Sequence, residues 1–251
     1  MTRDLHLLRE LIKRDLAARF TGSGLGLFWA ILQPAALVSV YWFVFSFMIP
    51  SRVGGGGGDY LYFLISGLIP WFAISEGLTR SMTSIVENAP MVRRIPLRSE
   101  LLVIVPNASA VVFELIAFTL FVAAVTVVRG WPHGVWLIPI AVALQLLLQV
   151  GLGLALAATY VFLRDVGQIL GFVLAIVFYL SPILYPAAGR FRTLFAFNPL
   201  TPLLGLFRSA ILGAALPPLG SIVLLLIVAA ALFAASFSFF RRAQRVFADL
   251  I

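Results

Sequence analysis

Six long runs of this chain carry almost no charge: residues 26–49, 60–80, 101–128, 135–163, 166–184 and 219–240. A helix needs about 20 apolar residues to cross the hydrocarbon core of a bilayer. Lipid offers no water to backbone N–H and C=O groups, so each run must satisfy them internally, as a helix does. The expectation is an all-α integral membrane protein with six transmembrane helices, forming a single transmembrane domain over residues 1–251. Composition agrees, with 62% of residues apolar and 11% charged. A soluble domain has about 45–50% and about 25%. So few charges cannot cover a water-exposed surface.

The segments between these runs are the exceptions that carry information. Residues 2–20 form an amphipathic helix, with Leu5, Leu8, Ile12, Leu16 and Phe20 at helical spacing. Thr2 is its N-cap, and Glu10–Arg14 and Asp15–Arg19 are i,i+4 pairs in the favourable order. A span follows directly, so this helix is expected to lie in the membrane interface. The first apolar run is longer than that of a cleaved signal peptide, and the start is read as retained. Pro34 kinks the first span. The run Gly54–Gly58 lacks the Lys-Ser/Thr of a phosphate loop and reads as a flexible turn. Residues 81–100 are polar. Residues 185–218 are apolar but broken by Pro186, Pro199, Pro202, Pro217 and Pro218. The stretch between Arg192 and Arg208 is too short to span, so a re-entrant helix pair is expected between spans five and six. Thirteen of the eighteen basic residues fall on the side that holds both termini. The positive-inside rule makes that side cytoplasmic.

A search for catalytic chemistry finds nothing. His6 and His133 lie on opposite sides of the expected membrane, and no HExxH, Gly-x-Ser-x-Gly or Walker motif is present. The chain has no cysteine, hence no disulfide or thiol chemistry. The 17 Arg and one Lys sit in short segments between spans, a pattern that fits topology and contacts with membrane lipids, not nucleic acid. Glu114 is the one acid deep in a span. It admits two readings: a proton relay, or a residue that ties helices together. Gln145 and Gln149 share a helix face. Arg190, Arg192 and Arg208 on the outer side either hold lipid headgroups and the re-entrant helices, or guide an anionic substrate outward. Trp29, Trp71, Trp131 and Trp136 near span ends read as an aromatic belt. Tyr41, Trp42, Phe45, Phe172, Phe178 and Tyr179 lie deeper and either pack in the core or line a pathway.

Several short motifs recur in a recognisable order. Phe28-Trp29 and Pro34 follow the basic helix, and Gly67-Leu68-Ile69-Pro70-Trp71-Phe72 lies in the second span. Asn88 and Arg94-Ile95-Pro96 come next, then Glu114. Phe162-Leu163-Arg164-Asp165-Val166, Ser181-Pro182-Ile183-Leu184-Tyr185 and Asn198-Pro199-Leu200 follow. In this order the chain resembles the permease subunits of ATP-binding-cassette (ABC) polysaccharide exporters, the O-antigen and teichoic-acid exporter family. The resemblance implies a bacterial inner-membrane homodimer joined to two copies of a separate ATPase. That ATPase would bind ATP and Mg; this chain would carry no cofactor or metal and catalyse nothing. The substrate would be a lipid-linked glycan. Its headgroup would be held by the gate helix through Arg9, Lys13, Arg14 and Arg19. Residues Glu87, Asn88, Arg93 and Arg94 would couple the ATPase to the spans. Spans one and five would face each other across the pore, and Arg190, Arg192 and Arg208 would stand at the outer exit. An Arg-rich helix suits a lipid diphosphate, because guanidinium grips phosphate bidentately.

Three other readings compete. An ABC permease for drugs or small lipids shares the six-span plan. A gradient-driven transporter predicts repeats and several intramembrane charges, and the chain offers one Glu and no repeat. An intramembrane enzyme needs catalytic pairs that are missing.

Overall fold

The computed structural model describes residues 2–18, 28–44, 57–94, 98–186, 195 and 197–250. Regular structure among them is helical. In chain order it comprises α1 (Thr2–Ala18), α2 (Phe28–Phe43), α3 (Gly57–Glu87), α4 (Ala89–Arg94), α5 (Glu100–Arg129), α6 (Ile138–Phe162), α7 (Val166–Tyr179), α8 (Leu200–Leu212), α9 (Leu219–Ala243) and α10 (Phe247–Leu250). Four segments are long and apolar enough to cross a bilayer: 59–87, 100–129, 135–162 and 219–246. They match the second, third, fourth and sixth expected spans.

Two boundaries differ from the expectation. Helix α3 does not stop at residue 80 but continues to Glu87. The polar sequence after Arg80 hides a stripe at helical spacing, Leu78, Met82 and Ile85, each of which is buried. Helix α7 ends at Tyr179, short of residue 184. Pro182 disfavours helical geometry at Ser181 before it, and the Ser181 hydroxyl closes the last turn by donating to Val177 O at 2.7 Å. The described part of the first span is α2, 16 residues; the rest of 26–49 lies outside the described residues. In the stretch expected to hold the re-entrant pair, α8 has 13 residues, about 20 Å of helix, shorter than a bilayer core. Residues 187–194 and 196 before it lie outside the described residues.

Helices α3, α5 and α6 pack on one another, and α9 packs along α6. The closest approach is at Gly151, where a Cβ would sit 3.0 Å from the Phe233 backbone. Small residues let helices meet this closely in lipid, where no hydrophobic drive separates helix from solvent. Helices α2 and α7 pack at the margin on α3. Two cores result. The larger joins α3, α5, α6, α8 and α9 through residues such as Leu64, Phe118, Phe207 and Ala229. The smaller lies at the end that holds α1 and α10, here called basal, around Ile85, Leu102, Phe240 and Phe247. The opposite end is called distal. Large apolar side chains on α5 and α9, among them Leu120, Val127, Leu224 and Ile227, face outward, as lipid-facing helices require.

Replacing Gly151 with Leu should force α6 and α9 apart. Overpacking of this kind costs about 1–3 kcal/mol. Thermal unfolding of the detergent-purified protein checks it: a lowered midpoint is expected, while Gly151→Ala shifts it less.

Candidate functional site

The basal end carries the expected gate helix and a pairing that its sequence did not suggest. Asp15 of α1 reaches across to α3, where its Oδ1 lies 2.5 Å from Arg80 Nη2. Arg80 Nη1 is also 3.7 Å from Glu76 Oε1. Above this triad is a cavity of about 150 Å³ lined by Leu11, Arg14, Asp15, Arg80, Glu87 and Asn88, among others. Of the expected headgroup residues, Arg14 lines the cavity. Arg9 and Lys13 are exposed on α1, and Arg19 lies outside the described residues. Lys13 Nζ donates to Glu10 Oε1 at 2.7 Å; that bond and the ammonium charge hold Glu10 below the usual carboxylate range.

Asn88 is the corner between α3 and α4. Its side-chain amide donates to Ser84 O at 2.8 Å, and its carbonyl accepts the Met91 and Val92 N–H groups at 2.9 and 3.0 Å. Glu87 borders the cavity and Arg93 is exposed on α4. Arg94 ends α4, and its side chain lies outside the described residues. The four expected coupling residues thus occupy one corner at the base.

Glu114 is buried and belongs to a polar seam running between α3, α5 and α6. Gln145 Nε2 donates to Glu114 Oε2 at 2.6 Å and lies 3.2 Å from Gln149 Oε1. Gln149 Nε2 donates to Ala73 O at 2.8 Å. About two helical turns closer to the base, Asn107 Nδ2 donates to Ser81 Oγ at 2.6 Å and to Val103 O at 2.9 Å. Gly77 lies between the two groups. A Cβ there would meet Gln149 Nε2 at 2.5 Å and Asn107 Oδ1 at 2.6 Å, so any larger residue breaks the seam. No cation pairs with Glu114 among the described residues. The sequence placed Gln145 and Gln149 on one face; it did not single out Asn107, Ser81 or Gly77.

The aromatic candidates divide. Phe178 is buried, with its ring centroid 5.5 Å from Trp71 and 5.7 Å from Tyr41. It anchors α7 and α2 to α3. Phe172 and Tyr179 are exposed, at 69% and 57%, on one side of α7. Trp42 lies in α2, its side chain outside the described residues, as is Phe45. Trp71 is a correction: at 6% exposure it is mid-helix core, not an interfacial belt residue. Trp131 and Trp136 are exposed.

At the distal end, three elements hold the turn after α7. Asn198 Nδ2 donates to Ser181 Oγ at 2.9 Å and to Leu180 O at 3.0 Å. Its Oδ1 accepts the Leu200 N–H at 2.9 Å, starting α8. Tyr60 of α3 donates to Leu184 O at 3.0 Å. Arg208 of α8 donates to Ile183 O at 3.3 Å, and its guanidinium lies 3.6 Å from the Phe63 ring centre. Arg208 is 8% exposed, with its guanidinium engaged by this turn. Arg190 and Arg192 lie outside the described residues. Nearby, Arg129 bonds Asp59 and stands over the Tyr62 ring. No group of three His, Cys, Asp or Glu side chains among the described residues is placed to hold a metal.

Comparison with known proteins gives one consistent result. Residues 6–212 match the family model described as ABC-2 type transporter. The chain is 27% identical to the O-antigen export system permease protein RfbA of Myxococcus xanthus, over 98% of this chain and 95% of that one. It is 26% identical to a protein of the same name from Klebsiella pneumoniae, over 79% and 77% of the two chains. It is 24% identical to the polysialic acid transport protein KpsM of Escherichia coli, over 82% and 81%.

Two outcomes follow from the geometry. Glu114→Gln keeps an oxygen for the Gln145 amide, so membrane levels and activity should stay near normal. Glu114→Leu leaves one N–H of that amide unpaired, at about 1–3 kcal/mol, and should lower detergent stability. Measuring both variants separates a tie from a titrating group, since a relay would fail in either. At the base, Asp15→Arg and Arg80→Asp should each impair function, and the double swap should restore part of it. A double-mutant cycle checks this, with a coupling of about 0.2–1 kcal/mol expected for a partly exposed pair.

Proposed function

This chain belongs to the ABC-2 type transporter family, and we propose that it is the membrane subunit of an ATP-driven exporter of a lipid-linked polysaccharide. The observation that carries this reading is similarity over 98% of the chain to an O-antigen export permease, supported by a second match to a polysialic acid transport protein. Two copies of the chain would line the pathway, and two separate ATP-binding subunits would bind ATP and Mg and supply the energy. The chain itself would be non-catalytic.

In this reading the protein sits in the bacterial cytoplasmic membrane with six spans and both termini inside, as the distribution of Arg favours. The basal end is then cytoplasmic. Helix α1 lies in the interface as a gate, and the glycan's phosphate-bearing headgroup meets Arg9, Lys13, Arg14 and Arg19. The cavity between α1 and α3 gives the gate room to shift against Arg80. Helix α4 with Glu87, Asn88, Arg93 and Arg94 faces the ATP-binding subunit. The pair containing α8 re-enters from outside and narrows the exit. Phe172 and Tyr179 of α7, together with Tyr41, Trp42 and Phe45 of the first span, offer rings on which sugar faces stack.

Deleting the chain in its host should trap lipid-linked glycan on the cytoplasmic side and deplete it from the surface. Extraction and labelling of lipid-linked glycan in spheroplasts checks this. Normal surface glycan with no trapped intermediate would sink the reading.

A further inference from the structure

The chain beyond α9 does more than follow it out of the membrane. After Arg241 and Arg242 a 3₁₀ turn, Gln244–Val246, bends the chain into α10. This hook lies against α4 and the end of α6. Phe247 is completely buried, edge-on to Phe240 of α9 with ring centroids 5.3 Å apart. Met91 and Val92 of α4 pack on the same small core, which also contains Ile85 of α3, Leu102 of α5 and Val161 of α6. Arg241 Nη1 is 3.5 Å from Glu100 Oε1, fastening the end of α9 to the start of α5. Helix α4 is only six residues long. Alone it would have no stable position, because so short a helix is held by packing, not by its own hydrogen bonds. Its apolar side rests on the hook. Around it Arg93, Arg242 and Arg245 are all exposed.

We infer that α4 and the hook Gln244–Leu250 form one docking unit for the ATP-binding subunit, with Phe247 as its positioning residue. This rests on the reading that α4 meets that subunit, and it adds a second element and a route. The partner offers an acidic surface to Arg93, Arg242 and Arg245. Displacement of α4 passes through Phe247 and Phe240 to α9, and through Val161 to α6. A close-packed cluster transmits displacement in place of absorbing it.

The test uses the intact complex of this chain and its ATP-binding subunit in proteoliposomes. Phe247→Ala should lower the glycan moved per ATP hydrolysed about fivefold or more, the low end of coupling between sites. Phe247→Leu should recover most of that ratio. An unchanged ratio in Phe247→Ala at normal membrane levels overturns the inference. Should Phe247→Ala fail to reach the membrane, crosslinking decides. The chain has no cysteine, so pairs placed on α4 and on residues 247–250 can be joined cleanly. Transport retained after joining supports a single unit, and transport lost and then restored by reductant overturns it. Arg242→Glu with Arg245→Glu should weaken co-purification of the subunit; unaltered binding overturns the basic-surface assignment. The underlying reading fails separately: if Arg93→Glu with Arg94→Glu alters neither binding nor transport, α4 is not the docking site, whatever Phe247 does.

Discussion

The structure depends on a constraint that lipid imposes: a buried amide must find its partner within the protein. Through their N–H groups, Asn107 and Gln149 meet that requirement on a neighbouring helix, at Ser81 and Ala73 O of α3, while the Gln145 N–H reaches Glu114 on α5. The bonds run α5 to α3, α6 to α3 and α6 to α5, so the three longest-packed helices are closed into one unit. Each interhelical bond stabilises a membrane protein by only about 0.6 kcal/mol on average. Leaving such a group unpaired costs several times more. The seam therefore acts mainly on register. A sliding or rotated α3 would strand these amides, and Gly77 leaves just enough room for the aligned arrangement. The rest of the fold attaches to this unit: α9 by close approach at Gly151, α2 and α7 through Phe178 and Trp71, and α1 through Asp15.

What the sequence made legible follows from how far each signal reaches along the chain. Apolar runs declare themselves over 20 residues, so the long helices were readable. The shared face of Gln145 and Gln149 was readable because it needs only helical geometry. The partner of Asp15 was not. The sequence offered Arg19, four residues on, and the structure supplies Arg80, 65 residues away. Local spacing carries no trace of a distant partner. Composition misled at two places. Polar residues after Arg80 disguised the buried stripe of Met82 and Ile85, and the indole of Trp71 suggested an interface although the residue stands near the middle of the expected span and of α3 alike. At that depth the ring packs on Phe178.

The motifs that carried the family resemblance have a physical reason to recur together. Ser181-Pro182 and Asn198-Pro199 are separated by a stretch of variable-looking sequence, yet Asn198 bonds both Leu180 O and Ser181 Oγ. Pro182 follows the end of α7 and Pro199 starts α8, and the polar residue before each bonds what the helix end leaves open. The two motifs form one joint, and either alone would leave carbonyls unpaired. Arg208 and Tyr60 complete it by binding the next two carbonyls, Ile183 O and Leu184 O. Neither residue was readable as part of this joint, because the signal lies in three segments spread across the chain.

The two ends of the rigid unit differ in how firmly they hold what they touch. At the distal joint the bonds are buried, and Arg208 has a ring beneath it and a carbonyl before it. Removing it from them would strand a charge in an apolar setting, which costs about 3–5 kcal/mol for buried pairs. At the base, Asp15 and Arg80 keep 18% and 32% of their side-chain surface. Water can replace either partner there, and such a pair holds by about 1 kcal/mol or less. The attachment of α2 is apolar, through Tyr41 and Val38, and apolar contacts permit sliding where directed hydrogen bonds do not. Compliance therefore lies in α1 at the base and in α2, and the distal turn is the fixed point. In the proposed reading, a pathway beside this unit opens most cheaply where a charged ligand can compete for Arg80 or Asp15, and energy reaching α4 enters the fold beside that same helix α1.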